Sequence, residues 1–174
     1  MLVIDSQFRQ VLNDENPSIS TDFTIDLSEP LHDLVTLRLF SVQIPYTWYT
    51  VDEALGTNMF LINGNKYSIE SGNYTPDKLA ETINTVVQKK IENITFHYNE
   101  INGKMYIESK DENEVTIEFF NFTDFTYSKI NNNLGYLMGF HKMKYIIKNE
   151  TIKSDGVVDL YGPKYLLIIV ENPL

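Results

Sequence analysis

The chain has no cysteine, which removes disulfide staples, thiolate nucleophiles and Cys-ligated zinc from consideration and suits folding in a reducing cytosol. It has no run of roughly 18 apolar residues, and its N-terminus lacks the basic and apolar regions of a signal peptide. The expectation is a soluble protein with no membrane span, not secreted by the usual route. Basic residues are scarce, 14 Lys and Arg against 24 Asp and Glu, for a formal charge of -10. Such a field repels phosphate backbones and anionic lipid heads, so direct nucleic-acid binding is not expected. Histidine is scarce too. His32, His97 and His141 are scattered, none has a second His at helix spacing, and they read as surface or sheet-face residues with no metal site.

Aromatic residues, by contrast, are plentiful, with 11 Tyr and 10 Phe in 174 residues. They fit pleated surfaces better than helical bundles. The length suits one compact domain with a real core, spanning 1–174, with 1–20 as an N-terminal arm rich in polar turns.

Phe23, Ile25 and Leu27 alternate with Thr24 and Asp26, and after a Ser-Glu-Pro turn Val35, Leu37 and Leu39 alternate with Thr36 and Arg38. Phe40, Val42 and Ile44 then fall on the other parity, which predicts a bulge or bend near Leu39 to Ser41. Pro45 should end that strand. Phe60 and Ile62 face Tyr67 and Ile69 across Asn63-Gly64-Asn65, a hairpin signature. Thr75 followed by Pro76 is a helix start, and Leu79, Ile83, Val86, Val87 and Ile91 form one stripe, so an amphipathic helix is expected over 76–91. A second hairpin should join Ile94–Tyr98 to Met105–Ile107 across Asn102-Gly103, with Val115–Phe119 as the next strand. A long connection with a short turn or helix should cover Phe120 to Phe140. Tyr145–Ile147 and Val157–Leu160 read as short strands, and Tyr165–Val170 as a strand buried on both faces. About eight or nine short strands and one helix make the fold class mainly β, an antiparallel, jelly-roll-like β-sandwich.

Little in this pattern points to catalysis. Ser6 beside Asp5 and Ser41 within a strand have no plausible base, and the cluster Asp111-Glu112-Asn113-Glu114 lacks the ordered alternation of a calcium loop and reads as a solvated hairpin tip. Gly135 and Gly139 are expected to permit turns, since no Lys-Ser/Thr ending makes them a phosphate loop. Four Asn-x-Ser/Thr triplets begin at Asn73, Asn93, Asn121 and Asn149, as chance predicts in an Asn-rich chain. No catalytic residue, cofactor or metal is assigned, and an enzyme is not expected. The segment Pro45-Tyr46-Thr47-Trp48-Tyr49 is either a core plug at one end of the sandwich, the simpler reading, or a stacking platform or interface anchor.

A set of short motifs spans the chain: Asp5-Ser6-x-x-Arg9, Phe23-Thr24-Ile25-Asp26-Leu27, Leu37-Arg38-Leu39, Ile44-Pro45-x-x-Trp48-Tyr49, Gly72-Asn73-Tyr74-Thr75 with Leu79, Leu134-Gly135 with Gly139-Phe140, and Tyr165-Leu166. Together these resemble jelly-roll virion proteins of large nucleocytoplasmic DNA viruses and virophages, including minor capsid and penton-like proteins. The resemblance implies a non-enzymatic structural subunit of an icosahedral virion, made in the host cytoplasm. Its implied partners are other capsid proteins, the major capsid protein among them, and further copies of itself, as in a pentamer. The chain departs from full-length penton or major capsid proteins in being short, without a second jelly roll or a spike domain. No catalytic residue carries over. The arm from Met1 to Ser20 is expected to reach a neighbouring subunit. The alternative is a receptor- or glycan-binding head presenting Tyr46, Trp48 and Tyr49, or the loop with Phe122, Phe125 and Tyr127.

Overall fold

The computed structural model describes residues 4–8, 27, 29–30, 32–33, 35–36, 38, 40–44, 47–119 and 132–162. The chain divides into two compact units, Met1–Pro45 and Tyr46–Leu174.

In the first unit, a single 3-10 turn at Ser6–Phe8 is held by Asp5, whose carboxylate accepts from the Gln7 N–H at 2.9 Å. The described residues between 27 and 44 form no strand, and Val35 and Phe40 are 91% and 90% exposed. The strands and bulge expected there are therefore not formed at these positions. Alternation marks a face, but a strand exists only where a neighbouring backbone closes a ladder. Phe23, Ile25, Leu37, Leu39 and Pro45 lie outside the described residues, as do most of the arm and the expected strand Tyr165–Val170.

The second unit is mainly antiparallel β. Its strands among the described residues are β1 (Met59–Ile62), β2 (Asn65–Ser68), β3 (Ile94–Asn99), β4 (Lys104–Ser109), β5 (Val115–Glu118), β6 (Lys144–Ile147) and β7 (Thr151–Lys153), with helices α1 (Pro76–Val87) and α2 (Leu134–Leu137). They form a four-stranded sheet in the order β2-β1-β5-β6 and a three-stranded sheet in the order β3-β4-β7. One apolar cluster joins the sheets in a sandwich-like arrangement: Phe60 of β1 meets Phe96 of β3 edge-on at 5.9 Å, and Ile62, Ile117, Met105 and Ile107 are fully buried around them.

Both expected hairpins form. In β1–β2 the two-residue turn is Asn63-Gly64, with φ of 50° and 76°, the left-handed pair that a type I′ turn needs. Asn63 also reaches β5: its side-chain oxygen accepts from the Thr116 N–H and its own N–H donates to the Thr116 carbonyl, both at 2.8 Å. In β3–β4 the register Asn99↔Lys104 leaves a four-residue loop closed by Gly103 at φ 67°.

Helix α1 starts as read, with the Thr75 side chain accepting from the Lys78 N–H and Pro76 in the first turn. It ends sooner than Ile91. The N–H groups of Lys90 and Ile91 both return to the Val87 carbonyl at 2.9 Å, turning the chain back into β3, which starts at Ile94. Leu79, Ala80, Ile83 and Val87 are buried, while Val86 and Ile91 pack at the margin.

One expected strand is missing and another replaces it. Val157–Leu160 runs irregularly, anchored by single bonds from the Val158 N–H to the Gly103 carbonyl and from the Asp159 N–H to the Leu137 carbonyl, both 2.8 Å. The last strand among the described residues is instead β7, paired with β4 through Tyr106↔Lys153, Ile107↔Ile152 and Glu108↔Thr151. Three residues with one half-buried apolar position carry too little alternation to be legible in a sequence.

Candidate functional site

The segment following Pro45 is fixed by polar side chains from other parts of its unit. Asn73 spans it, accepting from the Thr50 N–H at 2.8 Å and donating to the Trp48 carbonyl at 3.2 Å. Thr50 in turn donates to the Leu160 carbonyl at 3.2 Å, and Thr57 donates to the Thr50 carbonyl at 2.9 Å. Val51 and Gly72 exchange two backbone bonds, of 3.2 and 2.8 Å. The Asn73 amide thus holds two turns together.

Held this way, Thr50 and Val51 are buried, Trp48 is half-buried and Tyr49 is 49% exposed. The core-plug reading fits Trp48 in part and fails for Tyr49. Tyr49 stands as a ridge between two hollows. One, of about 590 Å³, is polar and lined by Tyr49, Glu53, Asn58, Ser68, Ile69, Glu70 and Ser71. The other, of about 420 Å³, is mainly apolar and lined by Trp48, Tyr49, Thr50, Leu55, Asn132, Tyr136, Leu137, Asp159 and Gly162.

The polar hollow has a stiff frame. Asn58 and Ile69 bond to one another twice, side chain to carbonyl at 3.1 Å and N–H to carbonyl at 2.9 Å. The Glu53 N–H donates to the Ser71 hydroxyl at 3.0 Å, and the Tyr74 hydroxyl donates to the Glu70 carbonyl at 2.6 Å. Burial, with the Glu70 carboxylate as a second cause, raises the Tyr74 pKa, so that phenol stays a neutral donor.

No family model, curated protein or solved structure matches this chain.

A second polar cluster lies at the β6–β7 end. The Asp155 carboxylate accepts from the Tyr145 hydroxyl at 2.5 Å and from the His141 N–H at 3.1 Å, while the Lys142 N–H donates to the Tyr145 oxygen at 2.9 Å. Burial first, then the bond to Asp155, pushes the Tyr145 phenol well above its ordinary pKa; the same bond holds Asp155 below the usual carboxylate value. These groups stabilise one another's resting protonation states and pin the turn after β7, and the cluster holds no nucleophile beside a base. Among the described residues no group of three or more His, Asp or Glu side chains could hold a metal ion, and no helix is long and apolar enough to cross a membrane. His97 stacks on Tyr106 at 5.0 Å, His141 lies 4.8 Å from Tyr136, and His32 is exposed.

Of the six residues singled out from the sequence, Trp48 and Tyr49 sit together on the groove, and Tyr46, Phe122, Phe125 and Tyr127 lie outside the described residues. The sequence reading missed Glu53, Glu70, Tyr136 and Asp159. They come from four separate stretches, one of them helix α2, and no spacing or motif links them to Trp48.

Proposed function

We propose that this chain is a non-enzymatic structural subunit of a virion, a minor capsid or penton-like protein that takes its place beside other capsid proteins. The observation that carries the reading is where the motifs behind the resemblance do their work. Asn73 and Thr75 of Gly72-Asn73-Tyr74-Thr75 brace the Trp48 segment and cap α1. Gly135 and Gly139 allow close approaches at α2, and the N–H of Phe140 closes back on the Gly135 carbonyl at 2.7 Å. Motif residues spent on turns, caps and packing describe a scaffold whose function is its shape. The two-sheet architecture and aromatic core support the same reading, because a shell subunit is held by apolar contacts with rim charges setting register.

The test is the solution mass of the purified chain by size-exclusion chromatography with light scattering, over a concentration series and at two salt levels, alone and co-expressed with the major capsid protein. A closed ring, or a stable complex with the major capsid protein, is the expected outcome. A strict monomer that ignores the major capsid protein while binding defined sugars on a glycan array would replace this reading with that of a detached binding head.

A further inference from the structure

We infer that the Tyr49 ridge is a docking groove for an extended peptide segment of a partner protein in which a lysine or arginine adjoins a large apolar residue. The two hollows share Tyr49 and differ in chemistry, one lined by two acidic residues, Glu53 and Glu70, among polar neighbours, and the other mainly by Trp48, Leu55, Tyr136 and Leu137, with Asp159 its single acidic residue. Successive side chains of an extended backbone point to opposite sides at about 3.3 Å per residue, so a peptide lying along the ridge delivers neighbouring residues into the two hollows.

Charge selects what enters the polar side. Glu53 and Glu70 are exposed, and neither is ion-paired with a Lys or Arg among the described residues, where the ion pairs are Lys78–Glu81, Lys110–Glu108 and Lys144–Glu118. A cation entering that hollow is attracted by the two acidic residues and the aromatic ring that line it. The chain's -10 charge steers cationic partners toward it and repels acidic ones. A neutral sugar would use the aromatic surface but would gain nothing from the charge of two carboxylates, which favours the peptide. The bonds that fix the backbone at Glu53 and Glu70 also leave little ordering cost on binding.

Trp48 is the chain's single tryptophan and lines the apolar hollow, so its emission reports occupancy directly. The experiment titrates the full chain with a capped hexapeptide alternating Arg and Leu, and with Glu-Leu and Arg-Ser counterparts. The Arg-Leu peptide should give a saturable change in emission that weakens with added salt, and both counterparts should bind more weakly. The double substitution E53Q/E70Q should weaken binding of the Arg-Leu peptide about three- to thirtyfold, while melting like the parent because both carboxylates are exposed. Y49A should weaken it as well, with circular dichroism at the titration temperature showing that this variant, which loses a half-buried ring, is still folded. Equal binding of the Glu-Leu peptide, undiminished binding by E53Q/E70Q, no saturable response, or tighter binding of a neutral β-linked glucose oligomer would each overturn the inference. Its failure leaves the capsid reading standing, and a failure to assemble leaves the groove standing.

Discussion

Two glycines separated by four positions are needed for different reasons. Gly139 has φ +85°, and a Cβ there would sit 2.5 Å from the Gly156 carbonyl oxygen, so it terminates α2 in a conformation an L side chain resists. Gly135, expected to make a turn, lies inside α2, where a Cβ would fall 2.2 Å from the Phe119 ring. Phe119 cannot easily move away, since it stacks on Phe140 at 5.4 Å and meets Tyr145 edge-on. Alanine is the better helix former by about 1 kcal/mol, but overpacking a held ring costs about 1–3 kcal/mol. Gly135→Ala should therefore lower stability by a net of roughly 0–2 kcal/mol in urea unfolding, with the 2.2 Å approach favouring the upper end. At the other residue-scale feature, the lowered Asp155 pKa means the folded state holds its carboxylate charged. That stabilisation is complete above the unfolded value of about 4 and is lost as pH falls below it. The raised Tyr145 pKa acts in the opposite sense, contributing below about 10 and fading as pH rises beyond. A profile of melting temperature against pH should fall at both ends, and Tyr145→Phe should flatten the alkaline fall and weaken the acid one.

Hairpins and α1 were the most legible elements. Their signals are local: Asn-Gly at a positive φ, a hydroxyl before a proline, and apolar residues at helical spacing. Legibility ended where pairing is long-range. The segments with the cleanest alternation, 35–36 and 40–44, carry no ladder at their described residues, whereas β7, with almost no alternation, does. Protection of the β3 edge was equally invisible. Among the described residues β3 is an outer strand of its sheet, and Asn84 on α1 satisfies that edge, its side chain accepting from the Phe96 N–H and donating to the Phe96 carbonyl, both at 2.7 Å. The amide copies the paired bonds a neighbouring strand would make, and with α1 laid over it the edge is closed to foreign strands. Asn84→Ala should cost about 1–3 kcal/mol by leaving part-buried backbone groups unmet. It should also raise the aggregation rate on mild heating, measured by light scattering. Unchanged aggregation would mean that the packing of α1 alone protects the edge.

At the scale of the whole molecule, every buried apolar residue among the described ones lies between Val51 and Ile147, within the Tyr46–Leu174 unit. Hydrophobic burial is the main driving force of folding, so this unit should carry its own stability. A chain lacking residues 1–45 is expected to unfold cooperatively in calorimetry, with a midpoint within a few degrees of the full protein. A non-cooperative melt would show that the first unit contributes to the core. Composition and local pattern were sufficient to establish a mainly antiparallel β chain with one amphipathic helix and two tight hairpins, because those properties depend on neighbours within a few residues. They also placed Trp48 and Tyr49 among the candidate contact residues. Only the tertiary structure decided that Tyr49 divides a carboxylate-lined hollow from an apolar one, that Gly135 makes room for a ring, and that Asn84 stands in for a strand. Each of those depends on groups far apart in sequence that are brought together when the core closes, and no periodicity encodes such a meeting.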